Sequence, residues 1–167
     1  MIDVQVEMPA SAEVAAADGG RWIELAREAV EATLAHGGVE EAEVSVTLLD
    51  DEAIRALNRE HLDHDRPTDV LSFALYGEGE PILGDVYLGW QQASRQAVQE
   101  GVPVLEEIAR LAVHGTLHVL GHDHPESAEA RSGSEMYRIQ ESILAGLGTH
   151  RMSGVPAGSP DRDGVSA

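Results

Sequence analysis

The chain has no cysteine and little positive charge among its 167 residues. The lack of cysteine excludes a disulfide scaffold, a thiolate zinc finger and a cysteine nucleophile. Lys and Arg together number 11 against 30 Asp and Glu, so the formal net charge at pH 7 is −19 with neutral histidines. This balance excludes an ordinary basic nucleic-acid-binding module, whose affinity depends on a positive field over the whole domain. A local basic or metal-centred site is still compatible with it.

Long apolar runs and a leader pattern are also missing. No uninterrupted apolar stretch approaches the ~18 residues that a membrane span needs. The start, MIDVQVEMPAS, has neither the basic nor the apolar region of a signal peptide. We therefore expect a cytoplasmic protein without membrane contact. Hydrophobic residues make up 43% of the chain and aromatic residues only 4%, which is typical of a folded domain with a mainly aliphatic core.

Patterns of period two and of helical period alternate along the chain. Apolar and polar residues alternate over 2–7 and 43–49, and two β-branched stretches at 69–75 and 82–88 flank a glycine-rich segment. These patterns predict four strands, of which the last two form a possible hairpin. Helical spacing predicts helices over 21–36, in a short stretch after 50, and over 90–100, 103–121 and 126–147. Apolar residues surround most of the helix that ends at Gly121, so we expect it to be central.

These elements predict an α+β fold in which a small mixed β-sheet packs around a central helix. A single domain is expected over residues 1–148. Residues 149–167 are rich in Gly, Pro and Ser, which predicts a disordered C-terminal tail. Strand order and oligomeric state do not follow from the patterns.

Four histidines lie close together, at positions 114, 118, 122 and 124. His114 and His118 are four positions apart, so on a helix both imidazoles face one side and can reach one ion at ~2.0–2.1 Å. Gly121 can adopt a left-handed conformation that ends the helix and turns the chain, so that His124 completes a three-histidine site. Three protein ligands leave one position for water, as in catalytic zinc centres. The pattern predicts one divalent metal ion, best matched by zinc, although nickel, copper and iron are chemically admissible.

The ligand spacing matches the metalloprotease pattern H-E-x-x-H-x-x-G-x-x-H at each histidine and at the glycine. It departs from that pattern at Gly115, where those proteases carry the glutamate that acts as general base. Peptide hydrolysis by that route is therefore disfavoured. Gly115 indicates either close approach of substrate or backbone, or tight helix packing. His122 is expected to support a ligand or to lie on the surface.

Three blocks of the sequence together resemble the YbeY endoribonucleases, the rRNA maturation factors. The blocks are HGTLHVLGHDH from His114, the Leu57-Asn58 pair followed by DRPTDVLSF from Asp65, and LGDV from Leu83. The resemblance covers roughly residues 40 to 145, with the blocks in the family's order. It implies a zincin-like fold whose central helix bears the first two of the metal ligands His114, His118 and His124.

The resemblance implies a single-strand-specific, metal-dependent endoribonuclease, a hydrolase of RNA phosphodiester bonds. It implies action in rRNA maturation, notably at the small-subunit rRNA 3′ end, and in ribosome quality control. The implied partners are ribosomal RNA and the ribosome or ribosomal proteins. Many members carry an arginine implicated in catalysis where this chain has Leu62. Arg59 and Arg66 are the candidates to contact RNA in its place.

Other polar residues are candidates for the chemistry. His114 is a candidate catalytic residue as well as a ligand, and Asp123 is expected either to orient an imidazole, to handle protons or to cap the turn. Asp85 is expected to make a structural hydrogen bond. The block around the third strand supplies either polar anchors below the site or, as we favour, turn chemistry: Thr68, Asp69 and Ser72.

Other functions are compatible with the same residues. The missing arginine and the negative charge favour a metal-stabilised ribosome assembly or binding factor with weak catalytic activity. A zinc protease is less favoured because of Gly115. A histidine-based metal store is disfavoured, because one cluster beside a helix end suits a single fixed ion better.

Overall fold

Four strands form one sheet, and the helices lie between and after them in the chain. The computed structural model describes residues 1–9, 19–123 and 134–148. The strands are β1 (Ile2–Glu7), β2 (Ala42–Leu49), β3 (Val70–Ala74) and β4 (Ile82–Gly89). The helices of the described residues are α1 (Gly19–His36), α2 (Asp51–Leu62), α3 (Trp90–Glu100), α4 (Val104–Val119) and α5 (Glu135–Gly146).

The sheet is mixed, with the strand order β1-β2-β4-β3. β1 pairs in parallel with β2, and β2 pairs in parallel with β4. β3 runs antiparallel to β4 and occupies the edge of the sheet, so the expected hairpin is present. The predicted α+β fold with a small mixed sheet is confirmed.

One face of the sheet is apolar because alternate residues of its strands are aliphatic. Val46 and Leu48 of β2 and Val86 and Leu88 of β4 are almost fully buried there. They belong to one hydrophobic cluster with residues of α1, α4 and α5. Each fully buried Val or Leu side chain contributes roughly 1.5–3 kcal/mol. α4 carries the largest share of buried residues, so the expectation of a central helix is confirmed.

Two glycines let α4 approach the sheet closely. A Cβ at Gly115 would lie 2.6 Å from Val86 Cγ1 and 3.1 Å from Ser72 Oγ. A Cβ at Gly84 of β4 would lie 2.5 Å from Val119 Cγ1. Of the two explanations offered for Gly115, tight helix packing is therefore the one that the structure supports.

Side-chain caps define several helix ends. Asp50 accepts a hydrogen bond from the Ala53 N–H and so caps the start of α2. The prediction of an unbroken helix from Glu126 to Leu147 is wrong at Ser134. The backbone of Ser134 is extended and its Oγ accepts a hydrogen bond from the Tyr137 N–H, so α5 begins at Glu135. Residues 126–133 of that prediction, and the predicted disordered tail at 149–167, lie outside the described residues.

Among the residues that the structure describes, no helix combines the length and the apolar character that crossing a bilayer requires.

Candidate active site

His114 and His118 meet on one side of α4. Their Nε2 atoms lie 3.1 Å apart, and their ring centroids lie 4.7 Å apart at an interplanar angle of 79°. Both side chains are half-buried, although the residues between them are buried in the core. The four-residue spacing on a helix thus brings the two imidazoles together as expected.

The other nitrogen of each ring faces an oxygen. His118 Nδ1 lies 2.9 Å from the main-chain oxygen of His122, and His114 Nδ1 lies 2.6 Å from Oε1 of Gln140. Carbonyl oxygens only accept hydrogen bonds, so each Nδ1 carries the ring proton and donates it. The two Nε2 atoms are then both acceptors, and they lie 3.1 Å apart. Such a pair of acceptors is repulsive unless a proton or a cation lies between them.

This arrangement fits a divalent cation. Two metal–nitrogen bonds of ~2.0–2.1 Å at a tetrahedral angle would separate the nitrogens by about 3.3 Å, which is close to the observed 3.1 Å. Metal-binding histidines almost always donate their second N–H to a carbonyl or carboxylate oxygen, as both rings do here. His124, the third expected ligand, lies outside the described residues. Among residues 1–9, 19–123 and 134–148, no three His, Asp or Glu side chains converge as a metal site.

The turn after α4 has the expected glycine. Gly121 has a φ of 98°, in the left-handed region, and its N–H donates to the His118 carbonyl at 3.0 Å. The His122 N–H donates to the Leu117 carbonyl at 3.0 Å, which closes the helix end. His122 therefore contacts the site through its main-chain oxygen. Asp123 follows as an exposed residue and does not line the cavity described below.

Gln140 of α5 is oriented by its neighbour. It is 5% exposed, and its Nε2 donates to Glu141 Oε2 at 3.0 Å. Because an ionised carboxylate only accepts, this bond sets which way the amide points and directs Oε1 to His114. Arg110 donates to both oxygens of Glu141, at 3.0 and 3.2 Å. Burial acts to raise the pKa of Glu141, but the hydrogen bonds from Arg110 and Gln140 lower it below its ordinary value.

Arg110 is the centre of an ion cluster between α4 and α5. Besides Glu141, it donates to Glu106 Oε2 and Glu107 Oε1, each at 3.0 Å. Gln96 of α3 donates to the other oxygen of Glu107 at 2.7 Å. Burial acts to lower the pKa of the Arg110 guanidinium, but the three carboxylates raise it above its ordinary value. The charge of Arg110 is thus fully engaged within the protein.

The histidine pair lines a cavity of about 720 Å³. One wall is formed by an unbroken run, residues 68–74, which includes all of β3. The opposite wall consists of residues of α4 and α5, among them Arg110 and Gln140. Leu62 and Tyr137 also line the cavity and are 49% and 39% exposed.

The candidate polar residues differ in their surroundings. Thr68, Asp69 and Ser72 line the cavity with the histidines. Asp85 lies on the other face of β4 and accepts a hydrogen bond from Ser45 Oγ at 2.6 Å, the structural kind of bond expected of it. Ser72 Oγ is buried and has no hydrogen-bond partner among the described residues.

The structure does not bring the candidate arginines into the cavity. Arg59 is exposed on α2, with Nη1 3.9 Å from Asp65 Oδ1. Arg66 is exposed in the following loop, where its main-chain oxygen accepts a hydrogen bond from the Asn58 side chain at 3.0 Å. Leu62, at the position of the family arginine, does line the cavity. Within the described part of the chain, Arg110 is the one arginine among the lining residues.

The sequence patterns did not identify Gln140 or Arg110 as residues of the site. Gln140 interrupts a buried stripe of α5 that otherwise consists of Met136, Ile143 and Leu144. A polar residue inside an apolar helical stripe is a signal for a specific hydrogen-bond partner, and it was available in the sequence. The partner itself was not, because His114 is 26 residues away.

Known proteins resemble this chain over most of its length. A family model described as Endoribonuclease YbeY matches residues 10–148. The protein of that name from Rhizorhabdus wittichii is 40% identical over 157 residues, covering 83% of this chain and 93% of the relative. The one from Moorella thermoacetica is 47% identical over 131 residues, covering 72% and 82%.

A solved structure agrees in fold. The solution structure of a Thermotoga maritima protein is similar with a TM-score of 0.62 at 23% identity, and the match covers 93% of this chain and 98% of that one. At this identity the likeness concerns the fold alone. The family match and the curated relatives confirm the resemblance found in the sequence, and the chain belongs to the endoribonuclease YbeY family.

Proposed function

We propose that the chain is a metal-dependent endoribonuclease that cleaves single-stranded RNA in rRNA processing. Its relatives carry the name endoribonuclease, and the family match spans residues 10–148. The observation that carries the metal dependence is the convergence of two Nε2 atoms at 3.1 Å, with both Nδ1 atoms held by oxygens. His114, His118 and His124 are the proposed ligands, and zinc is the ion that three imidazoles suit best.

The residues of the chain have distinct tasks in this proposal. His114 and His118 present their lone pairs to one point, and Gln140 and the His122 carbonyl keep the rings from turning. A bound divalent ion supplies Lewis-acid stabilisation of the charge that develops at the scissile phosphate. Asp123 is exposed and precedes the proposed ligand His124 in the sequence, and we propose that it exchanges protons with solvent.

The negative charge of the protein means that RNA binding needs help from a partner. A net charge of −19 repels RNA at a distance, so we propose that the ribosome or its proteins present the substrate, with the small-subunit rRNA 3′ end as the target. Ribosome quality control in the cytoplasm belongs to the same proposal. Arg59 and Arg66 lie outside the cavity, and we propose that they contact RNA on the surface of the protein.

A direct test replaces one proposed ligand. His118→Ala is expected to lower bound zinc from one ion per chain to a small fraction, and to reduce cleavage of a labelled single-stranded RNA at least 100-fold. His36→Ala is the matched control, because it removes an exposed imidazole at the end of α1. Metal content is measured by elemental analysis, and cleavage by gel electrophoresis with and without a chelator. Undiminished cleavage by His118→Ala would contradict the proposal.

A second function is favoured by one observation. Arg110 is the one arginine among the described residues of the cavity wall, and three carboxylates bind it. A cavity wall whose described arginine is already bound by carboxylates has no described cation to stabilise a transition state, which suits an assembly or binding factor with weak catalysis. Wild-type protein that binds single-stranded RNA and zinc, yet cleaves no faster than His118→Ala, would establish this second function.

A further inference from the structure

β3 is an edge strand whose unpaired side needs an explanation. The Gly89 N–H donates to the Asp69 carbonyl and the Leu75 N–H to the Leu83 carbonyl, each at 2.8 Å. Because bonded positions alternate along an antiparallel pair, the odd-numbered residues 69–75 bond to β4. The N–H and C=O groups of Val70, Ser72 and Ala74 therefore point away from the sheet. Within the described residues, no strand pairs with this edge.

The exposed edge borders the histidine cavity. Every residue from 68 to 74 lines that cavity, as do His114 and His118. Gly115 allows α4, which carries the histidines, to lie against β3. A Cβ at this position would lie 3.1 Å from both Val70 Cγ2 and Ser72 Oγ. Proteins usually guard an open edge with charge, proline or a bulge, whereas β3 has the uncharged sequence VLSFA. A ligand that reaches the histidines therefore meets backbone groups that have no strand partner within the described ranges.

The charges around the edge disfavour a phosphate as its partner. Asp69 and Glu107 line the cavity, and the cation Arg110 is bound by carboxylates. The edge itself alternates N–H donors with C=O acceptors, and a phosphate oxygen can only accept. A neutral, planar group with donors and acceptors on one side suits it better. The pairing edge of a nucleobase has this chemistry.

Two exposed side chains of the cavity suit the flat faces of such a group. Tyr137 is 39% exposed and Leu62 is 49% exposed, and both line the same cavity as β3. Aromatic side chains bind unpaired bases by stacking, with little regard to their sequence. Hydrogen-bonding groups from β3 and a stacking ring from α5 therefore surround one space.

We propose that the backbone of Val70 and Ser72 hydrogen-bonds to the pairing edge of an unpaired RNA base, and that Tyr137 stacks on this base. The base is held beside His114 and His118, so that an adjoining phosphate can reach them. This inference rests on the proposed function and extends it to the origin of strand specificity. A base within a duplex cannot offer its pairing edge. β3 can therefore select single-stranded RNA without the help of basic side chains.

The RNA side of the contact is tested with three octamers, made of uridine, 3-methyluridine or 5-methyluridine. A methyl group at N3 blocks the pairing edge, whereas one at C5 leaves it intact and serves as the matched control. We expect the 3-methyl octamer to bind at least tenfold more weakly than uridine, and the 5-methyl octamer to bind equally well. Equal binding of all three octamers would overturn the proposal.

The protein side is tested by amide NMR during addition of the uridine octamer. The N–H signals of Val70 and Ser72 should shift and gain exchange protection, while those of Leu71 and Phe73, which face β4, change little. Shifts confined to Arg59 and Arg66 would overturn the proposal. Protection by a strand-forming valine-threonine peptide, but not by RNA, would overturn it as well and identify the edge as a peptide site.

A variant and a salt series complete the test. Tyr137→Leu should weaken binding of the uridine octamer at least fivefold, while Val98→Ala, at an 83% exposed position of α3, should leave it unchanged. The slope of log affinity against log salt should be shallower than about −2, because few phosphates are contacted. Cleavage of the 3-methyl and unmodified octamers at equal rates would refute only this inference. Specific uridine binding without cleavage would refute only the proposed nuclease.

Discussion

The two walls of the histidine cavity differ in how completely their polar groups are bonded. On the helical wall, Arg110, Glu141, Gln140 and His114 form one unbroken chain of hydrogen bonds. On the β3 wall, backbone groups at the sheet edge point away from β4, and Ser72 Oγ is buried without a partner among the described residues. Buried polar groups are nearly always bonded, so the difference has a functional meaning. Among the described residues, the helical wall orients His114, whereas the outer edge of β3 has no strand partner.

Replacing Arg110 should destabilise the helical wall more than replacing Gln140 or Glu141. Arg110→Met leaves Glu106, Glu107 and Glu141 clustered without their shared partner. Breaking a buried ion pair costs about 3–5 kcal/mol, and because the Arg110 side chain is 23% exposed we expect the free energy of unfolding to fall by about 3 kcal/mol. Urea unfolding at pH 7 measures it.

The control for this change is an ion pair of the same type outside the wall. Arg55→Met removes the bond to Asp65, where both side chains are about half exposed, at 52% and 53%. Solvent and salt screen such a pair, so we expect at most a small shift of the urea midpoint, which added salt should remove. Equal losses from Arg110→Met and Arg55→Met would show that the helical wall is not special.

A narrower change tests whether the helical wall orients the metal ligands. Gln140→Met keeps the volume of the side chain but removes the acceptor for His114 Nδ1. Loss of a partner that holds a metal-binding histidine typically lowers metal affinity 10–100-fold, and we expect a loss in this range. Zinc affinity is measured by competition with a chromophoric chelator, with exposed Gln99→Met as control.

A second readout separates orientation from general damage. In metal-free wild-type protein, ¹⁵N NMR of His114 should show the proton on Nδ1, and Gln140→Met should abolish this preference. Gln140→Glu restores an acceptor and should recover much of the zinc affinity. Unchanged zinc affinity in Gln140→Met, together with an unchanged His114 tautomer, would contradict the role of this wall.

The sequence predicted the local features of the site and missed those that join distant segments. His114 and His118 are four residues apart, so helical geometry alone brings their imidazoles together. The bonds of Gln140 to His114 and of Glu141 to Arg110 span 26 and 31 residues, and they exist only because α5 packs on α4. The apolar spacing up to Leu147 also concealed Ser134, whose capping bond depends on the backbone conformation. The order of the strands was unreadable for the same reason, since pairing across a sheet leaves no local pattern.

The smallest expected effect concerns pH and distinguishes buried from exposed carboxylates. In the folded protein the pKa of Glu141 lies below its ordinary value of 4.5, against the effect of burial, because Arg110 and Gln140 donate hydrogen bonds to it. A lowered folded-state pKa stabilises the protein fully above the unfolded pKa, and this contribution is lost as pH falls through the folded value. Glu141→Gln should therefore be about 1 kcal/mol less stable than wild type at pH 7, and the gap should close below pH 4.5.

The pKa of Asp65 is also lowered, first by its hydrogen bond from Arg55, but Asp65 is exposed and salt should abolish the effect of Asp65→Asn. Urea unfolding at pH 7 and at pH 3, with and without added salt, makes the comparison. A gap for Glu141→Gln that stays constant with pH, or that salt removes as easily as for Asp65→Asn, would mean that the helical wall is no better shielded than the surface.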